Sequence, residues 1–160
     1  MILCMWWDWK AVWWDWKAVL YELLPENQVI NSNKYCSQLD QLKKALEEKH
    51  PELVNRKRII FHQVNARPHS LMTRQKLLQL GWEVLIHLPC SPDIAPLDFH
   101  LFQSLQNSLN GKNFTSLEDC QRYLNQFFAQ KDKKVWEDGI MKLPEKWQKL
   151  VEKKGLYVVQ

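Results

Sequence analysis

The chain has 160 residues, of which 46% are hydrophobic and 25% charged; 22 lysines and arginines against 18 aspartates and glutamates give a formal charge of +4. That length and apolar content suit one globular domain with a sizeable core, and the mild basic bias permits contact with phosphates without requiring it. No run approaches the roughly 18 apolar residues of a membrane span, and Cys4, Cys36, Cys90 and Cys120 stand singly, which excludes a dense disulfide framework and a C-x-x-C motif.

From the N-terminus, Met1-Ile2-Leu3-Cys4-Met5-Trp6-Trp7 is apolar but lacks a basic lead and is broken by Asp8, so it makes a poor signal peptide, and a soluble intracellular chain is expected. Residues 6–12, Trp-Trp-Asp-Trp-Lys-Ala-Val, recur unchanged as residues 13–19. A seven-residue tandem is too short for a folding repeat and reads as a local duplication, with one copy placed in a strand; a Trp-rich stacking surface is the rival. Val19–Leu24 stops at Pro25 and suits a strand, so the tandem and this segment predict a hairpin within residues 1–24. Tyr35, Leu39, Leu42 and Leu46 recur at helical spacing, which predicts a helix over 32–49 with Asn31 or Ser32 as cap.

Next, Arg58-Ile-Ile-Phe-His-Gln-Val64 reads as a buried strand. Leu71, Leu77, Leu78 and Leu80 predict a helix over 70–80 closed by Gly81, and residues 82–87 predict another strand. Strand, helix, strand with short connections implies a parallel crossover. The last third predicts three helices: 96–110 starting at Pro96, 116–130 opened by a capping box at Thr115-x-x-Glu118, and 144–154. Their aromatic stripes read as packing.

Two blocks carry chemistry. His62-Gln-Val-Asn-Ala-Arg-Pro-His69 is followed by Ser91-Pro-Asp-Ile-Ala-Pro-Leu-Asp-Phe-His-Leu-Phe102. In order and nearly correct spacing, they resemble the catalytic core of mariner-type transposases of the Tc1/mariner superfamily, and are similar also to the transposase half of a histone-methyltransferase fusion. The resemblance covers nearly the whole chain. It implies an α/β, ribonuclease-H-like mixed sheet flanked by helices, here expected to lack its first strand and the N-terminal helix-turn-helix region. It also implies DNA as partner, a nuclear location and no membrane association, and it admits a homodimer.

The family's reaction, metal-dependent DNA cleavage and strand transfer, needs carboxylates that hold two Mg2+ or Mn2+ ions close together. Three aspartates supply them in the pattern this chain resembles. Asp98 matches the third and is the expected catalytic residue and metal ligand; it lies two residues after Pro96, on a face with Leu101, Phe102 and Leu105 by α-helical spacing. Asp93, in a proline-bracketed turn, is read as a local hydrogen bonder. Val64 occupies the second position and offers no oxygen. Asn65, its neighbour on a strand, points to the opposite face. Between Val64 and Asp98 lie 33 residues, one fewer than the family's usual spacing, with the shortfall near His69. The first aspartate has no counterpart, since the resemblance places Asp8 and Asp15 at a strand end.

Arg67 is a candidate substrate-binding residue, reading equally as a phosphate contact and as a loop-holding ion pair. His62, His69, His87, His100 and Cys90 follow no known zinc spacing, so zinc is discounted. The charge-dense Lys43–Arg58 stretch reads as a solvated helix face. The expectation is a mariner-type transposase fragment from which metal-dependent catalysis has been lost. The alternative is a non-enzymatic DNA-binding or interaction module built on the same fold.

Overall fold

The computed structural model describes residues 2–6, 20–25, 27–51, 54, 59–62, 71–85, 87–88 and 91–152. These fall into two compact units: one holds the described strands and helices up to residue 88, the other begins at residue 91.

The first unit opens with an antiparallel pair, β1 (Ile2–Trp6) and β2 (Leu20–Leu24), in which Ile2 faces Leu24 and Trp6 faces Leu20. This moves the first strand ahead of the place that the tandem suggests. Ile2 to Trp6 is five residues without a charge, whereas the tandem is interrupted by Asp8 and Lys10. The strand touches the duplication only at Trp6, and the rest of it, residues 7–19, lies outside the described residues. Met5 and Leu24 are the buried members of the pair.

Helix α1 (Ser32–Lys49) starts where its cap dictates. Asn31 is extended, at φ −97° and ψ 174°, and its side-chain oxygen accepts from the Lys34 amide at 2.9 Å. Leu39, Leu42 and Leu46 are buried in one cluster with Phe61, Leu77 and Trp82. The Phe61 and Trp82 rings meet at 5.4 Å between centroids. Each such side chain adds about 1.5–3 kcal/mol on full burial.

Strand β3 (Ile60–His62) pairs in parallel with β4 (Glu83–Leu85), and α2 (Leu71–Leu80) lies between them in the chain. Of the runs 58–64 and 82–87 read from composition, residues 58, 63, 64 and 86 lie outside the described residues. Gly81 ends α2 at φ +68°, the left-handed conformation glycine adopts without a Cβ clash. Only part of the α2 leucine pattern is inward. Thr73 and Leu77 are buried and Leu80 half-buried, whereas Leu71 and Leu78, seven residues apart, are 77% and 78% exposed on another side of the helix. Thr73 takes the inward position that leucine counting missed.

The second unit is helical. A 3-10 turn (Pro92–Ile94) precedes a π-helical stretch (Leu97–Phe102) that continues as α3 (Gln103–Leu109) and stops at Gly111, φ +75°. Helices α4 (Leu117–Ala129), α5 (Lys133–Met141) and α6 (Leu143–Glu152) follow. The α4 cap is Ser116, one residue beyond the Thr115 of the expected box: its oxygen accepts from the Asp119 amide at 3.0 Å. Phe128 of α4 contacts Phe127 and, at 6.1 Å between centroids, Trp136 of α5. Among the described residues no helix is long and apolar enough to cross a membrane.

Candidate functional site

The segment that carries Asp98 is shaped by its prolines. Pro92 opens the 3-10 turn, in which Ala95 donates its backbone N–H to the Pro92 carbonyl at 3.2 Å. Pro96, at φ −56° and ψ −35°, sets the next turn, and the Ala95 carbonyl accepts from both Asp98 and Phe99 amides at 2.9 and 3.0 Å. Ile94, Ala95 and Leu101 are buried beneath this path, and Asp98 is half-buried in the first turn. A carboxylate there is favoured by the amides of the helix start.

The helix beyond Pro96 differs from the one its spacing predicts. Residues Leu97–Phe102 are π-helical, and hydrogen bonds that span five residues instead of four widen the turn. The i+3 and i+4 companionship of Asp98 with Leu101 and Phe102 therefore does not carry over as drawn: Leu101 is fully buried and Phe102 only half-buried. Two later helices hold this widened turn. His100 donates from Nε2 to the Val135 carbonyl of α5 at 2.6 Å, and Lys146 of α6 places Nζ 4.3 Å from the centre of the Phe99 ring. Such a cation–ring contact contributes about 0.5–1 kcal/mol at an exposed site. Neither anchor is visible in the motif, because each partner lies more than thirty residues downstream.

Val64 and Arg67 lie outside the described residues, as do His69 and Cys90. The structure does bring together two histidines that the sequence kept apart. His62 ends β3 and His87 follows β4; His62 Nε2 and His87 Nδ1 are 3.1 Å apart, with ring centroids at 5.1 Å. Burial first, and His87 second, hold the His62 imidazole below its ordinary pKa. Among the described residues no group of three or more histidine, cysteine, aspartate or glutamate side chains is placed to hold a metal ion.

A second polar cluster joins the β1–β2 ladder to α1. Glu22 accepts from Lys34 Nζ at 2.5 Å and from Gln38 Nε2 at 2.7 Å, and Cys4 is its cross-strand neighbour. Gln38 is fully buried, so its amide is committed to this contact.

Comparison with known proteins fixes the family. A model described as transposase, partial DDE domain, matches residues 9–56. The Mos1 mariner transposase of Drosophila mauritiana is 41% identical over 159 residues, covering 98% of this chain and 44% of the relative. The solved Mos1 catalytic domain with Mg superposes with a TM-score of 0.90 at 40% identity, over 98% of this chain and 76% of that one. The chain belongs to the mariner transposase family. Its fold is accordingly ribonuclease-H-like, a mixed α/β arrangement. The human histone-lysine N-methyltransferase SETMAR is 37% identical over 158 residues, 98% of this chain and 22% of the relative. A Mos1 chain in a pre-cleavage transpososome also matches, with a TM-score of 0.90 at 40% identity, 98% of this chain and 45% of that one. This mariner chain thus spans less than half the length of the curated relatives it matches.

Proposed function

We propose that this mariner catalytic domain binds DNA in the nucleus and does not cleave it. The single observation that carries the reading is a valine at position 64, where the family pattern has a metal-ligating aspartate. Two-metal phosphodiester chemistry needs anionic oxygens on both sides of each cation, and magnesium or manganese gains nothing from an isopropyl group. Asp98 remains as the carboxylate of the third position, and Val64 withholds the anionic oxygen that the second position would give a cation. The donor set does not fit the metal pair.

DNA as partner is supported by the Mos1 structure in a transpososome and by the basic balance of this chain. The Asp98 segment still has its prolines, its π-helical turn and its anchors, so the scaffold around the position persists without the chemistry. Arg67, in the Asn-Ala-Arg-Pro-His block, is assigned a phosphate contact.

Two arms of one experiment test the reading. Supercoiled plasmid is incubated with magnesium or manganese and either the wild-type chain or Asp98→Ala; both are expected to leave nicking at the no-protein level. Labelled duplex is titrated in parallel over a salt series, where binding is expected to weaken steeply as salt rises. Metal-dependent nicking that Asp98→Ala abolishes overturns the loss of catalysis. Absence of binding at low salt overturns the DNA partner.

A further inference from the structure

Parallel pairing of β3 and β4 brings His62 and His87 together across 25 positions of sequence, at the carboxyl ends of both strands. The nitrogens that face each other are His62 Nε2 and His87 Nδ1, at 3.1 Å. Two imidazole nitrogens bound to one cation at about 2.0–2.1 Å stand about 3.3 Å apart on a tetrahedral edge and about 2.9 Å apart on a square edge. The observed separation falls between these values. No backbone movement is needed to bring the donors to coordination distance.

We propose that His62 and His87 form a two-imidazole site for a borderline transition cation such as Zn2+, Ni2+ or Cu2+.

Imidazole nitrogens suit these cations, whereas Mg2+ prefers hard oxygen ligands and is not expected to compete. At present the two rings share one proton in a hydrogen bond, so one nitrogen donates and the other accepts. Binding turns the rings so that both lone pairs converge on the ion. The donor ring carries its proton on its other nitrogen instead, and no proton is released while both rings are neutral. His62 is half-buried and His87 buried, so the cation enters from the His62 side and completes its coordination with water. Sequence spacing conceals such a site, because the pair is assembled by strand register.

The test titrates the full chain with ZnCl2 and NiCl2 by calorimetry and with CuCl2 by electron paramagnetic resonance. One equivalent is expected to bind, and the Cu2+ signal is expected to show coupling to two imidazole nitrogens. His62→Gln should weaken binding by at least about tenfold, since even the loss of a ligand's supporting partner costs that much. His50→Gln, at the end of α1, should leave it unchanged. Zn2+ should also raise the melting temperature of the wild type but not of His62→Gln. A chain that binds equally well as His62→Gln, or a Cu2+ signal from a single imidazole, overturns the proposal. His87→Gln should weaken binding likewise; if that variant fails to fold, the half-buried His62 position decides the matter.

Discussion

At the scale of single residues, the polar groups that matter are those whose neighbours come from another element. Burial alone would raise the Glu22 carboxyl, but hydrogen bonds from Lys34 and Gln38, with the Lys34 charge, outweigh it and hold the group below its ordinary value of 4.5. A depressed folded value means that this contribution to stability is present above pH 4.5 and is lost as pH falls through the folded value. Glu22→Gln should therefore be less stable than wild type near neutrality and should lose less on acidification, as read from urea midpoints between pH 7 and pH 3. A variant that follows the wild-type curve at constant offset would show that the cluster is not the source. His62 has the same sense for a different reason: a base kept neutral by burial and by His87 resists protonation in the fold. Its stabilising effect is present above the ordinary 6.5 and lost as pH falls through the folded value. Asp98 and Val64 are singled out by their motifs alone, whereas Gln38 and the His62–His87 pair emerge only from the structure. A polar side chain such as Gln38 gives no sign of its burial, and no pattern along the chain encodes the strand register.

Among the elements, periodicity located α1, α2, α4 and α6 because each presents several large apolar residues at helical spacing. Helix α5 escaped it. Within Lys133–Met141 the inward positions are Trp136 and Gly139, and glycine costs a helix about 1 kcal/mol relative to alanine while adding no apolar signal. The α4 start was misplaced by one residue for a related reason: Thr115-x-x-Glu118 and Ser116-x-x-Asp119 both satisfy a capping pattern, and only backbone geometry chooses between them. Ser116 is extended, at φ −147° and ψ 166°, and its oxygen reaches the Asp119 amide. Ser116→Ala should cost about 1 kcal/mol of stability while Thr115→Ala costs a few tenths, measured by thermal or urea unfolding. Equal losses would return the cap to Thr115. The π-helical stretch is the larger lesson. A sequence shows that a helix begins at Pro96, but hydrogen bonds spanning five residues depend on what holds the turn open, here Val135 and Lys146 from later helices.

For the whole molecule, fold and family were readable because two motif blocks, residues 62–69 and 91–102, keep their order and nearly their spacing, and the Mos1 comparison confirms both at 40% identity. The division into two compact units was not readable, since composition and length favour one domain. The proposed loss of cleavage rests on Val64, which leaves the ancestral metal position short of a carboxylate that Asp98 cannot replace. Mn2+ binding followed by calorimetry, in the wild type and in Asp98→Ala, measures this without requiring catalysis. The two chains are expected to give the same isotherm, with no Mn2+ bound through Asp98. A wild-type chain that saturates with Mn2+ and loses that binding in Asp98→Ala would contradict it.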